Sequence, residues 1–194
     1  MVGGFVFKVK VKLGTNLPFV VIALFFVIMV SCGESDEGQT QGSAGRTMEV
    51  HAGDPIVVDK AFFIDESGKT NVLVPSASNR QIVVINTIIV NRTSTVIPLL
   101  IDSEAAKLGD RRGKRYGAID PYENARVINE SLKEGPDTKK IPRLLWEITD
   151  LPRDYQVEGF LVFDVPKGLV LGTLFWDEVE YIPIDFVDYQ RNRG

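Results

Sequence analysis

The chain is poor in the side chains that most chemistry uses. Of its 194 residues, one is Cys and one is His. A single Cys excludes an internal disulfide framework and any multi-Cys zinc or iron–sulfur site. A lone His51 argues against His-based metal sites and against Ser-His-Asp catalysis. Basic charge is scarce as well. Residues 1–31 hold three Lys and no Asp or Glu, so the rest sets 19 basic against 26 acidic side chains, a net charge of −7. A generic nucleic-acid binder needs a basic surface to neutralise phosphates, so no nucleic-acid partner is expected. Long hydrophobic runs are missing too. Residues 17–30 fall short of the roughly 20 apolar residues that span a bilayer as a stable helix. No repeat of fixed period is visible.

What is present begins with an export signal. Lys8, Lys10 and Lys12 precede the apolar run, and Ser31-Cys32-Gly33 follow it. A basic start, an apolar stretch of about 7–15 residues and a small residue before the cut mark a signal peptide. Met29-Val30-Ser31-Cys32 resembles the lipobox of bacterial lipoproteins, although Leu is usual where Met29 stands. The resemblance implies cleavage by signal peptidase II, with Cys32 as lipid attachment point and first mature residue. Acyl chains contribute about 0.8 kcal/mol per buried CH₂, and more than one chain gives durable anchoring. Gly33 in place of Asp resembles outer-membrane sorting where the host has two membranes. The plainer reading is a free or buried Cys after an uncleaved anchor helix. Residues 33–45 (GESDEGQTQGSAG) have no large apolar side chain and read as a flexible tether, averaging about 20 Å in reach.

The remainder reads as all-β. Apolar, β-branched runs at residues 56–64, 72–74, 81–91, 97–101, 144–149, 155–165, 169–176 and 180–186 are separated by turn signals. Residues 81–91 are apolar on both faces, which suits a covered central strand. In the last run Ile182, Ile184 and Phe186 alternate with Pro183 and Asp185, which suits an edge strand. Residues 120–135 break the pattern. Asp120-Pro121-Tyr122-Glu123 looks like a helix start, and Ala125, Ile128 and Leu132 follow at helical spacing. The expected fold is an immunoglobulin-like β-sandwich of seven to nine strands with one short inserted helix, preceded by a hydrophobic signal or anchor helix. The expected division is 1–31 signal peptide, 32–46 lipidated Cys and tether, and 47–190 sandwich domain.

Four stretches carry a second resemblance: RQIVVINTIIVN ending at Asn91, the turn segment with Leu108, Asp110, Gly113 and Tyr116, the strand with Gly159, Phe163, Asp164 and Pro166, and the closing apolar strands. Their order resembles the telokin-like domain of unknown function found in many bacterial lipoproteins. One departure is Leu151-Pro152-Arg153-Asp154, where the family commonly has Pro-Gly. The resemblance implies an immunoglobulin-like fold at the cell surface and no catalytic residues. Physics points the same way: Gly113 suits a turn needing positive φ, Tyr116 a buried ring with a bonded hydroxyl, and Pro166 a strand end.

Arg111, Arg112, Lys114 and Arg115 place four positive charges in five residues. They suit a patch for anionic lipid headgroups, cell-wall polymer or an acidic partner, against the plainer reading of a solvated hairpin tip. Lys139, Lys140 and Arg143 would extend it if the loops meet. Asp177, Glu178 and Glu180 suit Ca²⁺ ligands less well than a solvated acidic turn. Trp146 and Trp176 suit core packing better than a ligand groove. Asn91-Arg92-Thr93 and Asn129-Glu130-Ser131 match the glycosylation sequon, by coincidence on this reading. No cofactor and no metal are expected. The function that follows is a non-enzymatic, lipid-anchored module on the extracytoplasmic side of the cell membrane or outer membrane, with an envelope protein or cell-wall partner. Two alternatives stay open: an accessory subunit of a membrane complex held by an uncleaved N-terminal helix, and a carboxylate-dependent hydrolase.

Overall fold

Residues 81–91 carry the strongest strand signal. The computed structural model, which describes residues 41–186, places a twelve-residue strand there. The signal peptide, Cys32, most of the tether and residues 187–190 lie outside the described residues. In chain order the strands are β1 Gln41–Ala44, β2 Met48–Ala52, β3 Ile56–Val58, β4 Lys60–Ile64, β5 Thr70–Leu73, β6 Arg80–Asn91, β7 Ile97–Ile101 and β8 Ala106–Asp110. Then follow β9 Arg115–Gly117, the one-turn helix α1 Pro121–Asn124, β10 Arg126–Ile128, β11 Thr138–Lys140, β12 Glu147–Leu151, β13 Gln156–Pro166, β14 Leu171–Trp176 and β15 Ile182–Asp185. The described part is therefore mostly β, in several sheets.

β6 is the axis of the fold. It pairs with β13 along its whole length, from Gln156↔Val90 to Pro166↔Arg80. One sheet runs β1-β2-β6-β13, with β3 also on β6. The others are β15-β14-β8-β9, β12-β7 and β10-β5-β4-β11. Side chains alternate across a strand, so β6 serves two cores. Val83, Ile85 and Ile89 join a large cluster with Leu99, Leu108, Phe163, Leu174, Trp176 and Phe186. Ile82 and Val84 join a smaller one with Ala61, Phe63, Leu73 and Ile141. The covered central strand expected from the sequence is thus present, because a run apolar on both faces gains from burial on each. β15 lies at one end of its sheet, with Ile182, Ile184 and Phe186 buried and Pro183 and Asp185 exposed. That is the edge strand its alternation predicts.

Four expectations need correction. Residues 56–64 are two strands, not one. The chain switches sheets at Asp59, where Asp59 N and Lys60 N both donate to the Asp137 carbonyl (3.1 and 3.0 Å). The helix expected through residues 120–135 stops after one turn. Asp120 caps it, its Oδ1 accepting from Tyr122 N (2.8 Å) and Glu123 N (3.1 Å). The chain then extends and residues 126–128 pair with β5. A free strand edge and β-branched Val127 and Ile128 outweigh a short helix that cannot stabilise itself. Part of the expected tether is a strand: β1 pairs with β2, Gln41↔Ala52 to Ala44↔Glu49. Its composition offers no apolar burial, but backbone pairing needs none. Finally, among the described residues fifteen strands replace seven to nine, the excess being pieces of three or four residues that sequence periodicity does not resolve.

Candidate functional site

The clustered basic residues lie on the β8–β9 hairpin. Its register runs Lys107↔Gly117, Leu108↔Tyr116 and Gly109↔Arg115. The turn is built by Asp110, whose Oδ1 accepts from Arg112 N (2.9 Å) and Lys114 N (2.8 Å). Gly113 N donates to the Asp110 carbonyl (3.1 Å), and Gly113 takes φ of +85°, as the turn requires. The Asp110 carboxylate is therefore occupied by backbone donors, and Arg111, Arg112 and Lys114 project into solvent.

A second turn faces this tip. Pro166 ends β13 and leads through Lys167 and Gly168 to β14. Lys167 N donates to Asn79 O (2.9 Å), and Arg111 N reaches Val170 O (3.4 Å). Between the two turns lies a cleft of about 570 Å³, lined by Arg111, Arg112, Lys114, Tyr116, Lys167 and Val170 among others. Among the described residues none of its four cations forms an ion pair. The Lys114 ammonium stands 5.1 Å from the Tyr116 ring centroid. Tyr116 itself is half-buried along the cleft wall, not buried as expected. An adjoining hollow of about 360 Å³ brings Asp185 near Arg111.

The structure divides the expected patch. Arg115 leaves it. Its guanidinium lies 3.8 Å from the Phe175 ring centroid and donates to the Tyr181 hydroxyl (3.3 Å), on the outer face of the sheet. Gly109 permits this stack, since a Cβ there would come 2.5 Å from Phe175 Cε2. Lys139, Lys140 and Arg143 do not line the cleft, and Lys139 pairs with Glu134 (3.0 Å). That contact holds the Glu134 carboxyl below its ordinary range. Lys167 is the residue the sequence reading missed. Its only signal was the Pro-Lys-Gly turn, because the partner turn is more than fifty residues away in the chain.

The residues behind the telokin-like resemblance all have structural work. Asn91 is 1% exposed, donates to Thr95 O (2.7 Å) and Leu151 O (2.9 Å), and accepts from Thr93 N (2.7 Å). So buried an amide is closed to glycosylation in the folded chain. Asp164 sits 3.0 Å from the Arg80 guanidinium and accepts from Ser76 N (3.3 Å). Gly159 lets residues 143–145 cross β13, since a Cβ there would meet Leu145 N at 3.1 Å. Trp176 is fully buried, its indole N–H donating to Glu178 O (2.9 Å), while Trp146 is half-buried against the large core.

The acidic turn after β14 serves the backbone. Glu180 accepts from Arg46 N (2.7 Å), Thr47 N (2.9 Å) and Thr47 Oγ1 (2.7 Å). These bonds, led by the Arg46 backbone N–H, lower its pKa to about 2. Glu178 accepts from Leu100 N (3.0 Å), on the edge of β7. Among the described residues no three His, Cys, Asp or Glu converge as a metal site. His51, at a strand surface, lies 2.9 Å from Glu49.

No family model matches the chain, so the telokin-like resemblance rests on the residues quoted for it. No curated protein matches either. Among solved structures, a Bacillus subtilis protein described as a "putative lipoprotein (ycdA)" aligns with a TM-score of 0.41 at 16% identity. The alignment covers 76% of this chain and 39% of that one, so the chain spans well under half the length of that protein.

Proposed function

We propose that this chain is a lipid-anchored, extracytoplasmic binding module without catalytic activity, held by Cys32 and binding through the cleft between the β8–β9 and β13–β14 turns. One observation carries the reading. Four exposed cations from two turns distant in sequence, unpaired among the described residues, surround one space, while the Asp110 carboxylate at its base is already held by backbone N–H groups. A merely solvated hairpin tip does not require Lys167 opposite. The non-catalytic part is supported by Glu178 and Glu180, which brace backbone and so are not poised for proton transfer.

The immunoglobulin-like reading has support in topology. β2, β6 and β13 lie in one sheet as strands A, B and E do in that fold. β8, β14 and β15 lie in another as C, F and G do, with β9 beside C. β4, β5, β10 and β11 are then an added layer on the outer face of B and E. The partner on this reading is an envelope component reached from the anchored position.

Labelled palmitate tests the anchor. Wild type should incorporate it and Cys32→Ala should not; label persisting on the variant overturns the proposal. Intact mass of the membrane-extracted chain separates this reading from the accessory-subunit alternative, which requires an unprocessed Met1 start.

A further inference from the structure

We infer that the cleft end of the domain rests on the membrane surface and that its ligand is the phosphate headgroup of anionic phospholipid. The inference builds on the anchored reading above and names its binding partner.

Strand direction supplies the first argument. β1 pairs antiparallel with β2, Gln41 opposite Ala52. Ala52 in turn lies opposite Thr87, in the middle of β6. From Thr87, β6 runs back seven residues to Arg80, whose partner Pro166 opens the β13–β14 turn. Leu171, just past that turn, is paired with Asp110 at the hairpin base. The chain therefore enters β1 from the cleft side of the sheet. The distance from Gln41 to that end is about 23 Å at roughly 3.3 Å per strand residue. Nine residue steps from Cys32 to Gln41 reach about 30 Å at most. A leash of that length lets the cleft end reach the surface that holds Cys32.

Charge supplies the second. Around the cleft and its adjoining hollow stand Arg111, Arg112, Lys114 and Lys167, against Asp110 and Asp185. Asp110 is screened by its N–H donors, and Asp164 nearby is paired with Arg80. The opposite end carries Glu49, Asp102, Asp150, Asp154, Asp177, Glu178 and Glu180, against Arg46, Arg92 and Arg153. A domain polarised this way turns its cationic end to an anionic surface even though its net charge is negative. The third argument is the rim. Val170, 50% exposed beside Lys167, offers an apolar contact at headgroup depth. Arg111 and Arg112 supply forked donors for phosphate oxygens.

The test uses the full, lipidated chain on vesicles of phosphatidylcholine, alone or with one third phosphatidylglycerol. Flotation reports anchoring. The rate of lysine acylation, followed by mass spectrometry, reports which end faces lipid. Shielding of Lys114 and Lys167 on the anionic vesicles, relieved by high salt, with exposed Lys69 on the β4–β5 turn unchanged, is the expected result. Each basic side chain at an anionic surface favours binding about five-fold, so Arg111→Glu with Arg112→Glu should abolish shielding while flotation and melting temperature hold. Equal acylation of Lys114 on both vesicle types, with flotation intact, overturns the headgroup inference and leaves the anchor standing. Shielding by inorganic phosphate on phosphatidylcholine alone also overturns it, in favour of a soluble anion. A chain that floats with neither vesicle overturns both readings. One that floats only with the anionic vesicles overturns the anchor and keeps the headgroup.

Discussion

The two ends of the described domain use charge in opposite ways. At the acidic end, Glu178 and Glu180 each hold a backbone N–H from a segment distant in sequence. At the hairpin end the acid at the base, Asp110, is tied in the same manner, but among the described residues the cations around it form no ion pair. Carboxylates accept hydrogen bonds from main chain and so close turns. Arg and Lys only donate, and among the described residues none of these cations has an ion-pair partner within 4.0 Å. Charge with a backbone partner builds the fold, and charge without one is available to a ligand. The difference makes the acidic end structural and leaves the cationic end as the proposed binding face.

The comparison breaks most severely if the acidic end tolerates change. Asn91→Ala at that end should have the largest effect. It removes two donors and leaves the buried Leu151 carbonyl unpaired, at a cost of roughly 2–4 kcal/mol. Urea unfolding should show the lower midpoint with an unchanged slope. A wild-type midpoint would mean that Asn91 is not the lock between β6 and β12. Asp110→Ala should cost less, about 1–2 kcal/mol, because two turn hydrogen bonds are lost at a partly wet site. Amide exchange at Arg112 and Lys114 should accelerate together; unchanged protection of both would leave Asp110 without its turn role.

What the sequence could tell followed this same division. The long strand at residues 80–91, the β15 edge and the Asp110–Gly113 turn were legible, because each is specified by periodicity or by a residue acting on its own neighbours. The one-turn helix was half legible. Asp120 caps locally, but the free edge of β5 that claims residues 126–128 lies fifty residues upstream. β1 was illegible because Gly42 and Ser43 announce no strand, and its order comes from β2 and the Glu180 clamp. The basic run was visible as a cluster. Its division was not, since Phe175 draws Arg115 away and Lys167 arrives from another turn.

The Glu180 clamp gives a smaller and pH-dependent effect. Its pKa of about 2 lies below the ordinary value of 4.5, so the ionised form belongs to the folded state. Its contribution is complete above pH about 4.5 and is lost as pH falls towards 2. Glu180→Gln should therefore melt below wild type at neutral pH, and the two curves should converge in acid. A gap that persists unchanged to pH about 2.5 would show that the carboxylate charge is irrelevant to the clamp.

The smallest stability effect should come from the residues with the largest functional one. Arg111→Ala and Arg112→Ala remove exposed side chains that form no ion pair among the described residues, so melting should stay within about 0.5 kcal/mol of wild type. Relief of repulsion among Arg111, Arg112 and Lys114 even favours the variants slightly at low salt. Were these side chains structural, each removal would destabilise the hairpin, and Asp110→Ala would add less than its full cost to the double variant because the residues would share one network. Independent sites instead predict additive melting shifts. A thermodynamic cycle across Asp110, Arg111 and Arg112 thus measures whether the hairpin's cations belong to the fold, as the far end's carboxylates do, or are held out for something else.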